Sequence, residues 1–209
     1  MASSAQAKEF IQRIAPIIQD EAIKRGYKVC SPIIAQACIE SGFDTSLLAY
    51  KFHNYFGMKC GSSWKGKSVN LKTKEEYTTG TLTIIRDNFR AYNSMEEGVK
   101  GYFDFISTKR YSNLKSADSP EVYLQRIKAD GYATSSRYVQ TNMNCIKKYN
   151  LTDWDPHYIA DLKSMDEIAR EVLDGKWGNG AIRKQMLRSA GYNPAMVQAK
   201  VNDILKKGN

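Results

Sequence analysis

The sequence predicts an α+β fold, mainly α: a helical domain built around one small β-hairpin, followed by a three-helix bundle. Three observations carry this. Apolar residues recur at helical spacing over most of the 209 residues. One block, from Val69 to Arg90, turns instead to Thr, Val, Ile and Tyr, with Thr79-Gly80 between two strand-like runs. From Ser164 onward, caps and glycines cut the chain into three short helical stretches.

Taken in order, Phe10, Ile11, Ile14, Ile17, Ile18 and Ile23 form the apolar face of a helix from Ala7 to about Lys24, despite Pro16. Ser31-Pro32 supplies a cap and a first-turn proline for a second helix that runs to Gly42. That helix is apolar nearly all round, so it must be buried. After the hairpin, Ser94-Met95-Glu96-Glu97 reads as a capping box ahead of Val99, Tyr102, Phe103 and Ile106. Further helices are expected at 119–129 and 136–148, which closes a first domain at 1–155. A linker at 156–163 leads to the bundle at 164–209. There Ser164 and Glu167 form a capping box, Gly175 and Gly191 end helices, and Asn193-Pro194 opens the last one. Ile168, Val172, Ile182, Met186, Leu187, Val197, Val201 and Ile204 provide its apolar stripes.

Composition narrows the function classes. The chain is 42% apolar and 25% charged, ordinary for a globular protein. Its apolar runs stop short of the roughly 18 residues of a membrane span, and no secretory leader is visible, so stable membrane association is not expected. The formal charge of +9 attracts a polyanion: nucleic acid, anionic lipid or an acidic cell wall. The bundle holds eight basic against five acidic residues, so the basicity is shared between the two units. Nucleic acid is disfavoured because basic and acidic residues are interleaved without a recognised motif. Cys30, Cys38, Cys60 and Cys145 lack a CxxC pair and His53 and His157 are isolated, which disfavours a zinc site; buried free thiols are expected.

Two carboxylates stand out. Glu40 shares a helix side with Ile33 and Ala37, near the end of a helix with almost no other polar side chain. Desolvation there disfavours the charged form, as a general acid requires; a structural salt bridge or cap is the competing role. On the hairpin, strand alternation puts Glu75 with Val69, Leu71 and Tyr77, and Glu76 with Asn70, Lys72 and Lys74. A hairpin glutamate is commonly solvated surface, yet a helix-borne acid facing a hairpin carboxylate is also the layout of a glycosidase.

Several motifs in order carry a resemblance. Ala35-Gln36-Ala37-Cys38-Ile39-Glu40-Ser41-Gly42-Phe43, Ser46-Leu47-Leu48-Ala49, Asn54-Tyr55-Phe56-Gly57-Met58-Lys59, Glu76-Tyr77-Thr78-Thr79-Gly80, Phe89-Arg90-Ala91-Tyr92 and Gly131-Tyr132-Ala133-Thr134 with Tyr138 together resemble glycoside hydrolase family 73. The resemblance implies a lysozyme-like fold and a peptidoglycan-cleaving endo-β-N-acetylglucosaminidase, of the kind found in phage endolysins. It makes Glu40 the general acid, Glu76 the second carboxylate, and Tyr132 a tyrosine that contacts substrate or stabilises an intermediate. Tyr138, Asn54 and Phe56 become cleft residues for substrate, with Phe56, Phe89 and Arg90 also packing around it. Asp44 departs from the family, where glycine is common, and the Glu75-Glu76 doublet leaves the register open by one residue.

The stretch Asp166 to Gly180, then Arg183, Leu187, Ala190-Gly191-Tyr192 and Val197 to Asn202, is similar to the CW_7 cell-wall-binding repeat. Trp177 and Tyr192 would offer aromatic faces to a sugar and Arg183 a donor to an acidic stem peptide; core packing is the competing role for Trp177. The expectation is a monomeric peptidoglycan hydrolase without cofactor or metal, held in a host cytoplasm until released to the wall. A muramidase or lytic transglycosylase on the same fold, and a non-catalytic wall-binding protein, are the alternatives.

Overall fold

The structure, a computed structural model, describes residues 2–78, 81–156 and 163–207, with no side-chain description at 73–78, 81–84, 189 and 207. The Thr79-Gly80 turn and most of the expected linker, including His157, lie outside the described residues.

The first helix, α1 (Ser4–Arg25), is longer than the apolar periodicity indicates because Ser3 and Gln6 form a reciprocal capping box ahead of it. It buries Phe10, Ile11, Ile14 and Ile18 and ends at Gly26, whose φ of 75° is left-handed. Next comes α2 (Ser31–Ser41), buried from Ser31 through Cys38. No side chain of its own first turn caps it. Asp155 does so from the far end of the domain, accepting from the Cys30 and Ser31 N–H groups at 2.7 and 2.6 Å and from the Ser31 hydroxyl at 2.8 Å.

A short helix that periodicity is too brief to signal, α3 (Leu47–Phe52), is capped by the Ser46 side chain. Strands β1 (Ser68–Thr78) and β2 (Thr81–Arg90) then pair antiparallel as a two-stranded hairpin. Helices α4 (Met95–Ile106), α5 (Pro120–Ala129) and α6 (Tyr138–Tyr149) complete the domain, with 3-10 turns at 109–116 and 151–154. At the start of α4 the Ser94 hydroxyl accepts from Glu97 N–H, but the Glu97 carboxylate reaches one residue further out, to Asn93 N–H at 2.9 Å. One apolar core joins α1, α2, α4, α5 and α6, with Tyr27, Tyr55, Tyr102, Phe103 and Tyr123 among its fully buried side chains.

The second unit holds α7 (Met165–Leu173), α8 (Gly180–Ser189) and α9 (Pro194–Lys207) around a separate core of Ile168, Ala169, Val172, Leu187, Tyr192, Val197 and Val201. The Ser164–Glu167 capping box forms as expected. Two stripe residues do not join the core. Ile182 is 64% and Met186 42% exposed, because α8 turns Leu187 inward and leaves those two outside. Among the described residues, no helix is long and apolar enough to cross a membrane.

Candidate active site

Glu40 occupies the last turn of α2, one residue before the helix ends. Ile33 and Ala37 on its side of the helix are fully buried, but Glu40 itself is exposed, so the expectation of a buried acid is corrected. The reason is local. Gly42, Phe43 and Asp44 take φ of 61°, 57° and 67°, three left-handed residues that turn the chain away and leave the last helical turn open on one side. Protein crowds the remaining sides, and this partial burial raises the Glu40 carboxyl above its ordinary value. Among the described residues it has no hydrogen bond or ion pair, so neither the salt bridge nor the cap is found there.

A second segment closes on the acid from the side. The Asn54 amide donates to Met58 O at 2.9 Å and Arg90 O at 2.8 Å, and its oxygen accepts from Met58 N–H at 2.9 Å. With its side chain 2% exposed and engaged by the main chain, Asn54 holds the 54–58 loop. That loop carries Gly57 beside Glu40: a Cβ on Gly57 would lie 3.7 Å from Oε2, and its φ of 64° favours glycine. Phe56 is 4% exposed and stacks on Tyr102 with centroids 3.9 Å apart, so its ring serves packing. Phe89 is buried, and the Arg90 guanidinium lies 4.6 Å over the Trp64 ring, both as the packing role requires.

Two tyrosines feel the charge of the acid. Tyr132 is half-buried against Tyr102, Phe105 and Tyr138, and its hydroxyl donates to Phe56 O at 3.2 Å. Tyr138, at the start of α6, is 7% exposed and its hydroxyl accepts from the Gln36 amide at 2.6 Å. Burial pushes both phenols up, and the Glu40 charge adds to this in each. Both phenols therefore stay neutral around neutral pH and lie within electrostatic reach of the acid. Gln36 and Gly57 stand inside the quoted motif runs without an assigned role, and the α2-capping Asp155 was not singled out from the sequence. Gln36 was open to detection as a polar side chain in an apolar helix, one turn before Glu40.

The hairpin backbone carries Glu75 opposite Thr83 and Glu76 opposite Leu82, with a register irregularity between Glu76 and Thr78. Their side chains lie outside the described residues. Cys30, Cys38 and Cys145 are buried free thiols, and Cys60 is only partly buried.

In the bundle, Tyr192 is 8% exposed and belongs to the core. Trp177 packs edge-on against it at 5.9 Å and donates its indole N–H to Glu171 at 3.1 Å. Arg183 donates to Gly178 O and Asn179 Oδ1 at 2.9 and 2.8 Å, bracing the turn before α8. These aromatic residues are thus largely committed to packing.

With this geometry in view, comparisons with known proteins give a consistent answer. Residues 15–151 match the family described as mannosyl-glycoprotein endo-beta-N-acetylglucosaminidase, and residues 166–205 match the CW_7 repeat. The peptidoglycan hydrolase FlgJ of Pseudomonas aeruginosa is 35% identical over 142 residues, covering 65% of this chain and 35% of that protein. The exo-glucosaminidase LytG of Bacillus subtilis is 30% identical over 164 residues, covering 74% and 57%. The chain thus spans about a third to a little over half of these relatives. The lysozyme of Streptococcus phage Cp-7 is 54% identical over 43 residues, 21% of this chain and 13% of that protein. The catalytic domain of the autolysin Auto from Listeria monocytogenes superposes with a TM-score of 0.63 at 27% identity, covering 74% of this chain and 90% of that domain. The chain belongs to the glucosaminidase family of glycoside hydrolases, family 73, and carries one CW_7 repeat behind that domain.

Proposed function

We propose that this protein is a peptidoglycan hydrolase that cleaves the β-1,4 bond after N-acetylglucosamine, with Glu40 as general acid. One observation carries the assignment of the acid: a carboxyl raised by partial burial, open on one side, without a partner among the described residues and flanked by the Gly57 backbone and two neutral phenols. Protonated Glu40 gives its proton to the glycosidic oxygen as the C–O bond breaks, and the leaving sugar departs as an alcohol. The positive charge that develops on the sugar ring calls for an anionic or electron-rich group on its other side. We assign this to the hairpin doublet, with Glu76 as the second carboxylate and Glu75 as the competing register; water then adds to the anomeric carbon, and the proton it releases restores the carboxyl pair for the next turnover. The substrate reading is supported by the names of the relatives, a peptidoglycan hydrolase and a glucosaminidase. The CW_7 repeat supports wall attachment, and its likeness to a phage lysozyme supports a phage endolysin.

Digestion of purified cell walls with product identification by mass tests this reading. New reducing-end N-acetylglucosamine is expected; reducing-end N-acetylmuramic acid, or its anhydro form, would replace the assignment with a muramidase or lytic transglycosylase. Glu40→Gln removes the acidic proton while keeping shape, so lysis should fall by a factor of at least 100 with folding and wall binding intact. Parallel Glu75→Gln and Glu76→Gln variants separate the two registers, the larger loss being expected at Glu76.

A further inference from the structure

The helix that carries Glu40 also carries a buried amide, inside the quoted signature, to which the general-acid mechanism gives no role. Gln36 is 1% exposed. It lies four residues before Glu40 on α2, so the two side chains stack one turn apart on the same side of the helix, with Cβ atoms roughly 6 Å apart. A primary amide buried this deeply needs partners, and it has two. The Tyr102 hydroxyl donates to its oxygen at 2.8 Å, and its NH2 donates to the Tyr138 hydroxyl at 2.6 Å. Tyr102, from α4, is fully buried, and Tyr138 begins α6.

The direction of these bonds matters more than their number. A phenol has one proton. Tyr102 spends its proton on the Gln36 oxygen, which directs the amide NH2 to the Tyr138 oxygen. Tyr138 therefore accepts from Gln36 and keeps its own O–H to donate elsewhere. One helical turn further along α2 stands Glu40, a strong acceptor on the same side of the helix. The influence of the Glu40 charge on Tyr138 agrees with this proximity.

We propose that Gln36 is a positioning residue for catalysis: it fixes the hydrogen-bond polarity of Tyr138, so that the phenolic O–H faces Glu40 and steadies the carboxylate formed when the acid gives up its proton. The inference rests on Glu40 being the general acid. Before transfer Glu40 is neutral and has little use for another donor; afterwards it is an anion in a partly dehydrated place, where an oriented O–H lowers its energy. The benefit appears as charge develops, so it acts on kcat more than on KM.

The test is a double-mutant cycle on the full chain with purified peptidoglycan, measuring kcat, KM and the thermal midpoint. Gln36→Met conserves volume and removes both hydrogen bonds; Tyr138→Phe removes only the hydroxyl. Each single variant is expected to lower kcat about 10- to 100-fold with KM changed less than about threefold. The double variant should be no slower than the slower single one, because both changes remove the same O–H. Multiplying losses, or a loss confined to KM, would overturn the proposal. If Gln36→Met does not fold, Tyr138→Phe decides alone, since wild-type kcat in that variant leaves Gln36 nothing to act through. Glu40→Gln, run alongside, separates the two readings: retained lysis there removes the general-acid assignment, whereas an inactive Glu40→Gln beside a fully active Tyr138→Phe removes only the role of Gln36.

Discussion

At the residue scale, the site combines strain with electrostatics. Asp44 takes a left-handed φ of 67° at the position where glycine is common in the family, and the structure supplies the reason for that preference. Local contacts offset part of the strain: the Asp44 backbone N–H donates to the Ser41 hydroxyl at 3.0 Å, and the Asp44 carboxylate meets Arg13 at 2.6 Å. Asp44→Ala keeps the strain and loses the ion pair, so it should destabilise by about 1 kcal/mol. Asp44→Gly relieves the strain and should be nearly neutral. Denaturant midpoints of the two variants check this order. Asp20 offers a test of pH dependence. Burial pushes its carboxyl up to about 6 against Lys24 and Arg188, whose charges pull it down. The native state therefore binds this proton more tightly than the unfolded chain, and the stability contributed by the group is lost as pH rises from about 4 to about 6. Asp20→Asn should stabilise the protein at pH 7.5 by about 1 kcal/mol, discounted because the side chain is partly exposed, with the gain vanishing below about pH 4. Unfolding curves at the two pH values decide it.

At the element scale, α2 is the piece on which the site depends. Its apolar composition made it legible as a buried helix, and Ser31-Pro32 and Gly42 mark its two ends. What sequence spacing did not show is that its first N–H groups are satisfied by Asp155, more than a hundred residues later. Local rules compare neighbours in the chain, and this cap is a tertiary contact. The matched family segment ends at residue 151, before this cap. Asp155→Ala should cost about 1–2 kcal/mol and slow lysis by loosening the start of the helix whose other end holds Glu40. Thermal melts together with lysis rates check this prediction. The helix α3 escaped detection because six residues are too few for a periodic signal, and only the Ser46 cap marked it. In α8, Ile182 and Met186 had the right chemistry for the core, but α7 and α9 leave room there for Leu187.

At the scale of the whole molecule, two cores form from separate stretches of the chain. Two cores allow each unit its own stability, so a chain ending at residue 156 should keep its cleft and its α2 cap. Such a chain is expected to hydrolyse soluble glycan fragments at a near-normal rate but to bind walls more weakly, which cosedimentation with purified walls measures. The charge of +9 is spread over both units, so the role expected of it is long-range attraction to an anionic envelope. Wall association of the full chain should weaken as salt rises from 50 to 500 mM, and unchanged cosedimentation would remove that role.

Much of this protein follows from sequence alone. Local periodicity, caps and glycines determine the helices, the hairpin and the two-unit order, because these depend on residues within a turn or two of each other. The ordered motifs, which chain spacing preserves, determined the family. Tertiary structure decided the rest. It placed Glu40 at an open helix end rather than inside the core, and it gave the Asn54 amide and the Phe56 ring to the loop and the packing beside the acid. It also joined Gln36 to phenols 66 and 102 residues away. Hydrogen-bond direction and partial desolvation are properties of groups brought together by folding, and no spacing along the chain encodes them.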